Sequence, residues 1–91
     1  MRAEHTRRFQ RSLRGRSDAE FQAAGAAMLH AAESFGRPHA HAGIDIRRLG
    51  RNLFECRAGL DLRLVFRRDG DALVFDFAGD HDAVQSYLRN R

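Results

Sequence analysis

The second half of the chain consists of short runs in which apolar and polar residues alternate, and this pattern limits the fold more than any other feature. Phe54 and Cys56 alternate with Glu55 and Arg57, and Leu62, Leu64 and Phe66 alternate with Arg63 and Arg67. Leu73, Phe75 and Phe77 continue the pattern around Asp76, and Ile44 and Ile46 begin it upstream. A period of two sends successive side chains to opposite faces of an extended segment, so each run reads as a half-buried strand. Gly50-Arg51-Asn52, Gly59-Leu60-Asp61 and Asp69-Gly70-Asp71 are turn material between the runs. An antiparallel meander is the simplest connection.

The first half must then cover the apolar face of that sheet. A short strand is expected around residues 2 to 5, followed by a helix from Thr6 to about Leu13 that buries a narrow stripe through Phe9 and Leu13 and ends at Gly15. Ser17-Asp18-Ala19-Glu20 is a capping box, the clearest helix start in the chain. Phe21, Ala24, Gly25, Met28, Ala32 and Phe35 then recur at helical spacing as a core-facing set, until Gly36 and Pro38 stop the helix. The alanines and Gly25 would let the two helices approach closely. The expectation is an α+β fold, with an N-terminal helical hairpin packed on an antiparallel β-sheet meander and a short C-terminal helix over residues 83 to 88.

Period two also sorts the strand residues by face. With Phe54, Cys56, Leu62, Leu64, Phe66, Leu73, Phe75 and Phe77 toward the helices, Glu55, Arg57, Arg63, Val65, Arg67 and Asp76 point to an uncovered face. Arg57, Arg63 and Arg67 become candidate neighbours there, as do the acids that would pair with them across strands.

Ninety-one residues suit one domain, 1-91, with a single core. All 16 basic residues are arginine, against 12 acids. Arginine keeps its charge and presents a planar fork to phosphate or carboxylate, which suits nucleic acid or an acidic protein partner. The charge is blocked: residues 1 to 16 carry six arginines against one acid, and residues 46 to 70 carry seven against three. The segments 17 to 45 and 71 to 91 are net acidic. One cysteine forms no internal disulfide, and no apolar run approaches the ~18 residues of a membrane span. Without an apolar signal stretch at its start, the chain is expected in a reducing cytoplasm, with no membrane partner. Cys56 falls on the apolar face and is expected in the core, not as a reactive thiol.

Gly79-Asp80-His81-Asp82 follows the last strand run and leads into Ala83-Val84-Gln85-Ser86-Tyr87-Leu88. Histidine titrates nearest neutrality of all side chains, so His81 can serve as an acid or base; Asp80 or Asp82 can equally cap the helix, with His81 filling the turn. His39-Ala40-His41 lacks a nearby third ligand, so no metal site is expected, and no cofactor. His30 is expected to face solvent, and His5 lies near the start of the chain.

The order of strand, helical hairpin and meander, with Glu55-Cys56-Arg57, Asp61-Leu62-Arg63-Leu64-Val65-Phe66 and Gly79-Asp80-His81-Asp82, resembles the RelE/ParE superfamily across nearly the whole chain. It is similar above all to the RelE-like or HigB-like toxins of type II toxin-antitoxin systems that end in Gly-x-His-Asp. The resemblance implies a ribosome-dependent mRNA endoribonuclease that inhibits translation, driving attack of a ribose 2′-hydroxyl on the adjacent phosphate. It implies that Arg63 stabilises the scissile phosphate, that His81 stands where one branch has a histidine general acid, and that Tyr87 matches a C-terminal catalytic tyrosine. Arg57 stands where other members place a lysine or histidine, which implies a contact to phosphate or base; Arg67, its expected neighbour on the same face, is a candidate RNA or phosphate contact, and Asp61 aligns with an acid used in one branch. The usual lysine pair is absent, leaving Glu55 and His81 as candidate bases.

The implied partners are a cognate antitoxin, in a toxin-antitoxin hetero-oligomer, and the ribosome with its mRNA. Two other readings stay open on the same fold: a ParE-like DNA gyrase poison, and a noncatalytic, degenerate toxin that only binds protein or RNA.

Overall fold

The computed structural model describes residues 1–37 and 46–91. Eight elements follow one another: β1 (Arg2–His5), α1 (Arg7–Ser12), α2 (Asp18–Ser34), β2 (Arg47–Gly50), β3 (Leu53–Ala58), β4 (Leu62–Asp69), β5 (Ala72–Gly79) and α3 (His81–Arg89). Ile44, Pro38, His39 and His41 lie outside the described residues.

The meander forms as the turn residues dictate, with β2 to β5 antiparallel in sequence order. Asn52 takes the left-handed conformation at φ 52° in the β2–β3 turn. Its amide pays for the turn by exchanging two hydrogen bonds with the Arg68 backbone, at 2.9 and 3.1 Å, which pins the turn to β4. β1 adds a fifth strand in parallel beside β5, giving the order β1-β5-β4-β3-β2. That parallel pair makes the sheet mixed and places the chain's start beside its last strand.

Both early helices begin as their side chains direct. Thr6 caps α1 by accepting from the Phe9 N–H, and Ser17 caps α2 within a complete capping box closed by Glu20. Ser12, at the end of α1, accepts from the Ala78 N–H at 2.9 Å and fastens the helix to β5. Phe9, Leu13, Ala24, Ala31, Ala32, Cys56, Leu64, Phe66, Leu73 and Phe75 share the core between the helices and the sheet. Phe66 and Phe75 are wholly buried with ring centroids 4.8 Å apart, each burial stabilising by about 1.5–3 kcal/mol. Among the described residues no helix is long and apolar enough to cross a membrane.

Three expectations are corrected. Phe21 is 45% exposed and Gly25 faces open space, so the buried stripe of α2 runs through Ala24, Ala31 and Ala32 and the glycine makes no close helix contact. Small alanines let the helix lie close to the sheet, and this fixed its rotation. Phe77 does not join Phe75 on the α1 and α2 side: Val65 pairs with Phe77 while Phe66 pairs with Phe75, which leaves Asp76 as an extra residue in β5. A one-residue bulge inverts the alternation beyond it, so Phe77 crosses to the other face and Ala78 replaces it in the first core.

That other face is not open. α3 folds back across it, and Val84 and Tyr87 bury Val65 and Leu53, with Phe77, Leu49 and Leu88 packed around them. Glu55 and Val65, both expected in solvent, are 5% and 0% exposed. An amphipathic last helix had to bury its stripe somewhere, and the second face of the sheet was the available apolar surface.

Candidate functional site

α3 divides the candidate residues into two groups, one at each of its ends. At its start lies a cleft of about 400 Å³. Arg16 lines it from the turn before α2, Glu20 from the first turn of that helix, Leu60 and Asp61 from the β3–β4 turn, Arg63 from β4, and Asp80, His81 and Asp82 from the start of α3.

The local sequence explains why His81 arrives there. Asp80 caps α3, its carboxylate accepting from the Ala83 N–H at 2.8 Å, and His81 follows as the first helical residue, exposed to solvent. Gly79 permits the tight entry, since a Cβ at that position would lie 2.8 Å from Ala83 Cβ and 3.0 Å from the Phe77 ring. The motif is therefore both a helix cap and a device that holds a histidine at the cleft.

Arg63 is fixed from below. Its Nη1 donates to Glu55 Oε2 at 2.9 Å, with side-chain exposures of 22% for Arg63 and 7% for Glu55. The pair ties a partly exposed cation to a buried carboxylate across β3 and β4. Glu55 thus supports Arg63 and is shielded from the cleft by burial. Arg57 is exposed and sits directly opposite Arg63 in the strand register.

Charge in this cleft runs against expectation. Its lining holds four carboxylates, Glu20, Asp61, Asp80 and Asp82, against the two guanidiniums of Arg16 and Arg63. Both arginines are already engaged, Arg16 with Glu20 at 3.2 Å and Arg63 with Glu55. The cleft thus sets an exposed imidazole among carboxylates, beside one guanidinium held in place by Glu55. It has no cationic surplus with which to attract a polyanion.

Tyr87 and Arg67 fall at the other end of α3, in a second cleft of about 390 Å³ lined also by Arg8, Leu53, Phe66, Asp76 and Arg91. Tyr87 is 6% exposed and stacks on Phe77 with centroids 4.9 Å apart. Its hydroxyl donates to Asp76 Oδ2 at 2.7 Å, and Thr6 donates to Oδ1 of the same carboxylate at 2.8 Å. Burial pushes Asp76 up, but the hydrogen bonds from Tyr87 and Thr6 and the charges of Arg8 and Arg67 outweigh it, leaving the carboxyl below its ordinary range. Burial, then the bond to Asp76, hold the Tyr87 hydroxyl above the usual phenol range.

Of the residues named from sequence, the fold therefore gathers Arg63, His81 and Asp61 in one cleft, with Glu55 beneath and Arg57 alongside. It does not bring Tyr87 or Arg67 to them. Sequence reasoning missed Arg16 and Glu20, whose four-residue spacing signals a helix-start ion pair and nothing more. It also missed Arg8, which reaches the second cleft only because α1 packs beside β5. Cys56 is buried as expected, its thiol pushed up to about 12 by burial and then by the Glu55 charge. Among the described residues no three acidic, cysteine or histidine side chains gather around a possible metal position.

The arrangement of elements matches solved structures over almost the full chain. A chain of the RelB-RelE antitoxin-toxin complex from Methanococcus jannaschii superposes with a TM-score of 0.64 at 15% identity, covering 93% of this chain and 98% of that one. YafQ from Escherichia coli strain BL21(DE3) gives 0.68 at 15% identity, covering 92% and 98%. The fold is that of the RelE/YafQ-type toxins. A chain of the E. coli DinJ-YafQ complex, at 0.66 and 16% identity over 92% and 98%, has the same RelE-type architecture. No protein-family model matches the sequence, and no curated protein does. At such low identity the RelE-type backbone is shared while the side chains of each cleft are this chain's own.

Proposed function

We propose that this protein is the toxin of a type II toxin-antitoxin pair and cleaves mRNA on the ribosome at the cleft formed by Arg63, His81 and Asp61. The observation that carries the reading is the convergence of those three residues, from β4, α3 and the β3–β4 turn, on a RelE-type fold. Cleavage requires that a base take the 2′-hydroxyl proton as the new O–P bond forms. It also requires that an acid protonate the 5′-oxygen as the old P–O bond breaks. Asp61, exposed at the cleft, is the base in this proposal, and exposed His81 is the acid. Arg63 is the cation for the charge that builds on the phosphoryl oxygens, and Glu55 positions it. Burial of Glu55 argues against its meeting the substrate directly.

An antitoxin is the natural protein partner in this reading, since RelE-type folds are found in complexes with RelB and DinJ. The test is induction of the wild type beside His81→Ala and Arg63→Lys in cells, with mapping of message 5′ ends. New ends with the wild type, lost in both variants, are expected. Growth arrest without new ends would overturn the nuclease reading and point to a target such as gyrase; cleavage undiminished in both variants would overturn the site.

A further inference from the structure

The acid-rich cleft at the start of α3 leaves open how a polyanionic strand is held, and the opposite end of the same helix supplies the missing charge. Arg8 from α1, Arg67 from β4 and Arg91 just beyond α3 line the second cleft, against the single carboxylate of Asp76. None of the three arginines forms an ion pair among the described residues, although the chain pairs Arg2, Arg16 and Arg63. Both oxygens of Asp76 are already taken, by Thr6 and Tyr87. Unpaired guanidiniums gathered in one concavity repel one another and raise its potential, a cost that an anionic ligand offsets.

Arg8 is also held in place. Its guanidinium lies 4.6 Å from the Tyr87 ring centroid and 6.0 Å from that of Phe77, so this exposed side chain rests its planar group against a stacked aromatic pair. Tyr87 in turn is locked by its bond to Asp76. A fork so fixed has less rotamer entropy to lose on meeting a phosphate than a free surface arginine.

We infer that Arg8, Arg67 and Arg91 form a phosphodiester-binding subsite for single-stranded RNA at the end of α3, distinct from the cleft that holds His81 and Arg63. This rests on the nuclease reading above and deepens it by separating grip from chemistry. α3 has nine residues and so spans about 13 Å, which sets the two clefts apart along one strand of RNA. The second cleft supplies the grip on the backbone, and the first, where carboxylates outnumber guanidiniums, only positions the scissile phosphate at Arg63.

The test is fluorescence anisotropy with a short 2′-O-methyl RNA, which lacks the attacking hydroxyl, titrated at several salt concentrations against the wild type and the Arg8→Gln, Arg67→Gln and Arg91→Gln variants. Arg37→Gln, from the segment after α2 and outside both clefts, serves as the control. Each cleft variant is expected to weaken binding roughly three- to tenfold, and to lower the slope of log affinity against log salt by about 0.7, with Arg37→Gln unchanged. Arg8 alone of the three is seen against the Phe77–Tyr87 ring pair, so the Arg67 and Arg91 variants decide the matter even where Arg8→Gln loosens α3. Unchanged affinity and slope in those two, or no binding by the wild type, would overturn the subsite. So would RNA binding that stays intact while capture of an oligo-glutamate peptide is lost, which would make the cleft a seat for an acidic protein. These outcomes are independent of message cleavage in cells: a wild type that cleaves while the variants bind normally defeats the subsite alone. One that binds through this cleft yet never cleaves defeats the nuclease reading alone.

Discussion

Glu55 and Arg63 face one another across β3 and β4 at 2.9 Å, the carboxylate buried and the guanidinium reaching the cleft. One residue lies in the interior and the other in the site, so a single pair links stability to the candidate chemistry.

Removing the cation alone should be costly. Arg63→Ala leaves a buried carboxylate without its donor and is expected to destabilise the fold by about 2–3 kcal/mol, whereas Glu55→Leu with Arg63→Leu should recover most of that loss. Urea unfolding of the single and double variants checks this. A single variant as stable as the wild type would mean that the pair is solvated and not structural.

Asp76 should make stability depend on acid pH. Its folded carboxyl titrates below the unfolded value of about 3.9, so its contribution is complete above that pH and disappears as pH falls through the folded value. Tyr87→Phe removes one of the two hydrogen bonds that lower it, at a cost of about 1–2 kcal/mol near neutrality, and the loss toward low pH should become shallower. Thermal melts of both proteins across the acid range measure the difference; parallel curves would contradict it.

Tyr87 is the chain's one tyrosine, and there is no tryptophan, so phenolate absorbance reports this residue alone. Its folded value is raised, so the stabilisation it gives is complete below about pH 10 and is lost as pH rises through the folded value. Alkaline titration should show phenolate appearing later than in a free tyrosine peptide. Asp76→Asn should bring it earlier, and an ordinary titration in the wild type would refute the buried Tyr87–Asp76 bond.

Gly79 is a steric requirement at the entry to α3. In Gly79→Ala the new methyl meets Ala83 Cβ at 2.8 Å, so the helix must shift, at about 1–3 kcal/mol, and carry His81 with it. Reduced stability together with altered His81 ring resonances in NMR spectra is expected. Unperturbed resonances would show that the turn absorbs the methyl.

Cys56 offers a probe of global opening. The chain's one thiol is 1% exposed and titrates at about 12, so reagent should reach it only on unfolding, with labelling suppressed in parallel with stability. Rapid labelling of the folded protein at neutral pH would place the thiol outside the core.

Local order in the sequence settled much of this protein. Ser17 and Glu20 announce the start of α2, the turn residues set the meander, and alternation puts Cys56 in the core with Arg57 outside, because caps, turns and strand parity depend on neighbours a few residues away. The Gly79-Asp80-His81 segment likewise shows that a histidine follows the last strand at a helix start. Only the tertiary structure decided that an extra residue at Asp76 sends Phe77 to the opposite face, that α3 covers Val65 and Leu53, and that Tyr87 is held at the far end of the helix from His81. Arg16, from the turn before α2, and Arg8, from α1, enter the two clefts by packing across most of the chain's length. Parity is a local property and its inversion by a bulge is not: which strand absorbs an extra residue, and which face the last amphipathic helix covers, follow from total burial of apolar surface by the whole chain.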